Sequence, residues 1–146
     1  VRDRAGRLDG IDLSSGMLDK ARARGLYDRL DKAEITAAMA ERPAAYDAVI
    51  AADTLCYFGD LAAVVAAAGT ALKPGGHLLF TVEALPADDP RPHHLHEGSG
   101  RYAHSVAHIE SSVAAAGLRL VACEAGVLRT EGLKPVDGWI VASRKP

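Results

Sequence analysis

Apolar positions along the chain follow two alternating rhythms. Tyr46-Asp47-Ala48-Val49-Ile50-Ala51-Ala52-Asp53 is a nearly continuous apolar run, as expected of a strand covered on both faces in a parallel sheet. His77-Leu78-Leu79-Phe80-Thr81-Val82-Glu83 is a second such run. Between them Leu61, Val64, Val65, Ala68 and Leu72 recur at helical spacing. Asp60 caps that helix, and Lys73-Pro74-Gly75-Gly76 stops it, because proline cannot continue a helix. Upstream, Arg7-Leu8-Asp9-Gly10-Ile11-Asp12 predicts a short strand. Ser14 or Ser15 then caps a helix with Met17, Leu18 and Ala21 on one face, ended by Gly25. Residues 31–35 predict a weak strand and Thr36–Glu41 a short helix, stopped by Pro43. Downstream, Ser105 caps a helix with Val106, Ile109, Val113 and Ala116 on one face, closed by Gly117. Residues 118–124 and 138–143 predict two final strands. The stretch 86–101, with Pro86, Pro90, Pro92, His93, His94, His96, Gly98 and Gly100, reads as a long loop or lid.

Alternating strands and helices predict a three-layer, Rossmann-like α/β domain with a mostly parallel sheet. The last two strands have no helix between them, which predicts an antiparallel C-terminal strand. A chain of 146 residues fits one domain, 1–146, and no internal repeat is visible. With 49% hydrophobic but only 5% aromatic residues, the core must come from small aliphatics. Seventeen basic against nineteen acidic residues give a net charge of −2, which argues against a nucleic-acid partner. No apolar run is long enough to span a bilayer, and no signal-peptide core follows Val1-Arg2-Asp3-Arg4. Two cysteines, Cys56 and Cys123, are too few for a disulfide framework or a cysteine zinc site. The expectation is a soluble cytoplasmic domain with neither a nucleic-acid nor a membrane partner.

In open α/β sheets, ligands bind beyond the carboxyl ends of the strands. Those positions hold Asp12 and Leu13, Glu34 and Ile35, Asp53, Thr54 and Leu55, then Glu83 and Ala84. An acid recurs at each. Such an acid can be a helix cap or a solvated loop charge. Asp12 stands out because a carboxylate between a half-buried strand and a capped helix can accept from both hydroxyls of a ribose.

At these residues the chain resembles a known family. Gly10-Ile11-Asp12-Leu13-Ser14-Ser15-Gly16-Met17-Leu18 resembles the second-strand motif of class I S-adenosylmethionine-dependent methyltransferases. Residues 46–53 resemble their fourth strand, and Leu72-Lys73-Pro74-Gly75-Gly76-His77-Leu78-Leu79-Phe80 their fifth. The likeness covers about residues 7 to 143, and the terminal antiparallel pair is that family's hallmark. A narrower likeness is to a bacterial group often attached to tetratricopeptide repeats. The resemblance implies S-adenosylmethionine as cofactor; the near-neutral charge disfavours a nucleic-acid acceptor, and a small-molecule methyl acceptor is the expectation. It implies that Asp12 binds the ribose and that Leu13 and Met17 pack on the adenine, although Met17 also fits a plain core position. Glu34 and Ile35 would lie along the adenine edge. Asp53 would lie near the methionine part, with Thr54, Leu55 and Tyr57 facing the reaction centre.

One departure matters. The family's first strand ends in an acid and a glycine-rich turn, and no such segment is found here. Residues 1–6 read as the tail of the family's first helix, so the domain reads as N-terminally truncated. That would leave two strand edges unpaired at the sheet centre, a costly and aggregation-prone state. A fragment of a longer protein is the preferred explanation; an unseen segment, or a second copy in a homodimer, are the others. The expectation is weak or absent cofactor binding by these residues alone.

Gly98-Ser99-Gly100-Arg101-Tyr102-Ala103 matches a dinucleotide fingerprint but lacks the strand that must precede it. His93, His94 and His96 lie in a segment with little to hold them, so no metal site is predicted. His104, just before the Ser105 cap, is the candidate catalytic base, with a structural bond to the loop backbone as the equal alternative. A nicotinamide-dependent oxidoreductase of the short-chain type needs Tyr-x-x-x-Lys, and none of Tyr27, Tyr46, Tyr57 or Tyr102 has lysine four residues on. A non-catalytic scaffold domain is the other rival.

Overall fold

The computed structural model describes residues 2–146, so Val1 and its place in the expected helix tail lie outside the described residues. Arg2–Arg4 form a 3-10 turn, followed by β1 (Asp9–Asp12) and α1 (Ser15–Ala23). Ser14 is the cap of α1, its Oγ accepting from the Met17 N–H at 3.3 Å. The second strand, β2 (Arg29–Lys32), pairs in parallel with β1. It ends before residue 34 because Glu34 caps α2 (Ile35–Ala40), its two oxygens taking the Thr36 and Ala37 N–H groups at 2.8 and 2.9 Å. The strand expected over 31–35 therefore sits earlier, and the helix expected over 36–41 begins one residue sooner.

Next come β3 (Tyr46–Ala51), a 3-10 turn (Leu55–Tyr57), α3 (Ala62–Ala71) and β4 (Leu72–Ala84). Asp60 supplies its Oδ1 to the Ala62 N–H at 2.8 Å, although Leu61 occupies the cap position itself. The Lys-Pro-Gly-Gly segment does more than stop the helix, because it is already the start of β4. A Cβ at Gly76 would lie 2.9 Å from the Lys73 carbonyl oxygen and 3.1 Å from that of Asp47. Only glycine lets the β3 and β4 backbones approach there.

The stretch expected as a loop over 86–101 instead carries a hairpin, β5 (His93–His96) and β6 (Arg101–His104). The Gly98–Gly100 segment is its turn, which removes the phosphate-loop reading. After α4 (Val106–Ala115) come β7 (Arg119–Glu131) and β8 (Lys134–Arg144). These are antiparallel, as predicted, but far longer than expected: the stretch between the two predicted strands is itself ladder, turning at Gly132 (φ 53°) and Leu133 (φ 71°).

The larger sheet runs β5-β6-β4-β8-β7, with β3 beside β4. Parallel ladders join β1 to β2, β3 to β4 and β4 to β6; antiparallel ladders join β4 to β8, β5 to β6 and β7 to β8. The α/β class holds, but the sheet is mixed rather than mostly parallel. The reason is that both hairpins have connections too short for a crossover. Among the described residues no strand lies between β1 and β3, and the two-stranded and six-stranded sheets share no ladder. The core gathers Leu61, Val64, Val65, Leu72, Leu78, Phe80, Val82, Ile109, Val113 and Val141 between α3, α4 and the larger sheet.

Candidate functional site

Acids and apolar side chains collect at the carboxyl ends of β1 and β3. Asp12 closes β1, and its Oδ1 takes the Ser14 N–H at 2.7 Å. Among the described residues its Oδ2 has no hydrogen-bond partner, so one oxygen remains for a hydroxyl. Beside it, Leu13 is 63% and Met17 52% exposed. Large apolar side chains so open to water offer a face for a flat apolar ligand. Met17 thus lies outside the core, and Leu18 takes the buried position on α1.

Asp53, after β3, has φ 52°, a left-handed conformation that costs a non-glycine residue free energy. Its N–H donates to Thr81 Oγ1 at 2.9 Å. Its carboxylate is held by two arginines: Arg129 Nη1 lies 2.8 Å from Oδ1 and Arg101 Nη2 3.8 Å from Oδ2. Arg129 also donates to the buried Glu83 and, through Nε at 2.7 Å, to Glu131, which Arg101 contacts as well. Burial works against the charge on Arg129, but its bonds to Glu83 and Glu131 outweigh that and raise its pKa. The Arg129 bond lowers the pKa of Glu131. Arg101 further reaches Tyr57, whose ring lies 5.7 Å below the guanidinium and whose hydroxyl accepts at 3.4 Å. Tyr57 is 56% exposed and faces outward.

Other expected site residues are placed differently. Leu55 is 1% exposed and sits in the hydrophobic core, so in this structure it does not face a reaction centre. Ile35 is half-buried against the same core. Both Glu34 oxygens are committed to capping α2, which lowers its pKa and gives the acid a structural task. Thr54 Oγ1 donates to the Ala52 carbonyl at 3.1 Å. His104 is fully buried, with Nε2 2.8 Å from the Phe58 carbonyl oxygen. An acceptor outside cannot reach it in this arrangement, and the geometry gives His104 the backbone-holding role instead. Cys56 is also buried, which pushes its thiol up to about 11.

Sequence reasoning flagged Glu83 as a strand-end acid but missed Arg101, Arg129 and Glu131. Arg129 lay in an expected loop, and its partners Asp53 and Glu83 are 76 and 46 residues away along the chain. No local pattern encodes such a pairing. Among the described residues no group of three His, Cys, Asp or Glu side chains is arranged to hold a metal ion. Among the described residues no helix is long and apolar enough to cross a membrane.

Known proteins sharpen the picture. A family model described as a methyltransferase domain matches residues 2–78. No protein among the curated ones matches the chain. Among solved structures, the [4+2]-cyclase SpnF aligns over 99% of this chain and 68% of its own, with TM-score 0.74 and 22% identity. The Burkholderia thailandensis 1,6-didemethyltoxoflavin-N1-methyltransferase, solved with that compound and S-adenosylhomocysteine, aligns over 98% of this chain and 63% of its own. Its TM-score is 0.74 and its identity 15%. A methyltransferase from Mesorhizobium loti aligns over 97% of this chain and 81% of its own, with TM-score 0.69 and 20% identity. The chain thus spans about two thirds of the length of SpnF and of the Burkholderia enzyme. With a family model matching more than half its residues, the chain belongs to the methyltransferase domain family, and the solved structures it resembles share its fold.

Proposed function

We propose that this domain serves S-adenosylmethionine-dependent methyl transfer to a small-molecule acceptor, with the whole protein as the active unit. The observation that carries the reading is what the carboxyl ends of β1 and β3 present. One presents a free carboxylate oxygen of Asp12 beside exposed Leu13 and Met17. The other presents Asp53 in a strained conformation beside exposed Tyr57. Part of the donor set fits the cofactor: Asp12 is an acceptor for ribose hydroxyls, and Leu13 with Met17 an apolar face for adenine, whereas the Asp53 carboxylate is already paired with Arg129 and Arg101. The bound cofactor supplies an electrophilic methyl group on a sulfonium. The chain's own residues then contribute mainly proximity and alignment, since the leaving thioether is neutral and needs no protonation. Asp12 orients the nucleoside, Leu13 and Met17 exclude water from one face of it, and Asp53 with Tyr57 shapes the wall where an acceptor would dock. The polar Arg101–Arg129–Glu131 rim suits a polar acceptor better than an apolar one.

Isothermal titration with S-adenosylhomocysteine tests this. Binding that weakens tenfold or more in Asp12→Ala, a loss of about 1.4 kcal/mol, supports the reading. Binding unchanged in that variant removes Asp12 from the site. Transfer of labelled methyl from S-adenosylmethionine to small-molecule extracts separates methyl transfer from a second reading. That second reading, a use of the fold other than methyl transfer, is favoured by one similar structure, SpnF, a [4+2]-cyclase.

A further inference from the structure

We propose that the β5–β6 hairpin is a pH-sensitive clasp, pinned over the 58–61 segment while His104 and His108 are neutral and released by acid. Three imidazoles from three elements converge there. His93 on β5 and His108 on α4 have ring centroids 5.4 Å apart, His104 on β6 and His108 are 5.7 Å apart, and His93 and His104 are 6.2 Å apart.

Two of these rings are used in a form that an added proton spoils. His104 donates from Nε2 to the Phe58 carbonyl oxygen at 2.8 Å, so its Nδ1 is the unprotonated nitrogen. That Nδ1 is buried and has no hydrogen-bond partner. A proton placed there would find neither an acceptor nor water. His108 is used the other way, its Nε2 accepting from the Leu61 N–H at 3.3 Å. A proton on that nitrogen would set two donors face to face. The His93 and Tyr102 rings close over Gly59, where a Cβ would lie 3.2 and 2.8 Å from them. Phe58, Gly59 and Leu61 are thus each held by the hairpin or by α4.

The charged and polar surroundings pull both ways, with the Phe58 and Gly59 backbone and Asp60 favouring charge and the balance against it. From the 58–61 segment comes Asp60, which favours a charged His108, though its Oδ1 already takes the Ala62 N–H. From β6 comes Tyr102, edge-on to His93 at 5.7 Å. From β4 comes Glu83, committed to Arg129. The imidazoles themselves oppose one another's charging. Burial, and after it the neighbouring imidazoles, push His104 down to about 4 although the Phe58 carbonyl pulls upward. Burial and His93 lower His108 as well, against Asp60. In the released state both rings return to an ordinary value near 6.5. The released state therefore binds more protons than the pinned one. The clasp is fully favoured above about pH 6.5 and weakens as pH falls toward 4, by about two orders of magnitude in the released-to-pinned ratio from His104 alone. Arg101 ties the same hairpin to Tyr57, so release also loosens that side of the candidate site. The clasp stands whether or not the domain transfers methyl groups.

The single tryptophan is a built-in reporter, since Trp139 Nε1 donates to the His104 carbonyl oxygen at 3.1 Å. The full chain is followed from about pH 7.5 to about pH 4.5 by Trp139 emission and by hydrogen exchange of residues 54–61 and 93–104. Circular dichroism monitors the global fold, and NMR titrates each imidazole. The expected result is a His104 titrating well below 6 and exchange in both segments rising by about tenfold or more, after correction for intrinsic rates, while β7 and β8 stay protected. His104→Gln, whose amide can still donate to Phe58, and His108→Gln should flatten the response. The proposal is overturned by a His104 that titrates near 6.5, by exchange that does not change, or by a response that persists in the double variant. Should the variants fail to fold at neutral pH, the native chain decides: exchange in 54–61 and 93–104 must rise with the same midpoint at which His104 titrates, and exchange that is flat or follows another midpoint overturns the proposal.

Discussion

The two sheets of this molecule are built to different densities. Between residues 2 and 37 only Leu18 is buried, although that region holds β1, α1, β2 and the start of α2. In α3 alone Val64, Val65, Ala67, Ala68 and Ala71 are all buried. The small sheet has two short strands, whereas β4 is paired along most of its length on both edges. Thin packing leaves Leu13, Met17 and Asp12 at the surface, where they can meet a ligand. Thick packing allows Glu83 and His104 to be held inside, each with a defined partner. The difference follows from burial: a two-stranded sheet with one helix has little apolar surface to remove from water, and the six-stranded sheet has two helices over it.

Truncations across the two regions test this contrast. Leu78→Ala, in the thick core, should cost about 3–4 kcal/mol in urea denaturation. Leu26→Ala, 43% exposed in the thin region, should cost under about 1 kcal/mol. Similar losses at the two sites would end the comparison. Next in size is Arg129→Met, which strands the buried Glu83 carboxylate and should cost about 2–3 kcal/mol. Glu83→Gln added to it should recover part of that loss.

A smaller effect sharpens the thin side. Glu34→Ala removes the cap of α2 and should cost about 1 kcal/mol. Because its bonds from Thr36 and Ala37 lower the folded pKa of Glu34, its contribution is present above the ordinary glutamate value near 4.3. That contribution fades as pH falls through the lowered folded value. Acid denaturation of Glu34→Ala should therefore lack this component. Smallest of all, Lys73→Met breaks an exposed pair with Asp47 and should change stability by less than about 0.5 kcal/mol.

Legibility in the sequence followed the same divide between local and distant causes. The caps at Ser14 and Ser105 and strands within the runs 46–53 and 77–83 were readable, because each depends on neighbours a few residues away; the cover expected on both faces of the first run is absent, since β3 ends at Ala51 and only Ala51 of it is buried. Asp12 could be singled out because a strand end followed by a serine cap is a local pattern. The 93–104 hairpin was hidden by its prolines and histidines. It is held by parallel pairing of Ala103 and His104 with β4 rather than by its own propensity. Leu55 looked like a site residue because it follows a strand end, and His104 because it stands just before the Ser105 cap, yet in the fold both are buried.

The sequence by itself determined the α/β alternation, the helix starts at Ser14 and Ser105, the antiparallel close of the chain and the family, since periodicity, caps and motifs are all short-range. Only the tertiary structure decided that the sheet is mixed and that Arg101 and Arg129 enclose Asp53. It also decided which acids cap helices and which remain free, and that three histidines meet over one loop. Those outcomes depend on charges, rings and backbone groups brought together from far along the chain, where burial changes the free energy of each and no local pattern records it.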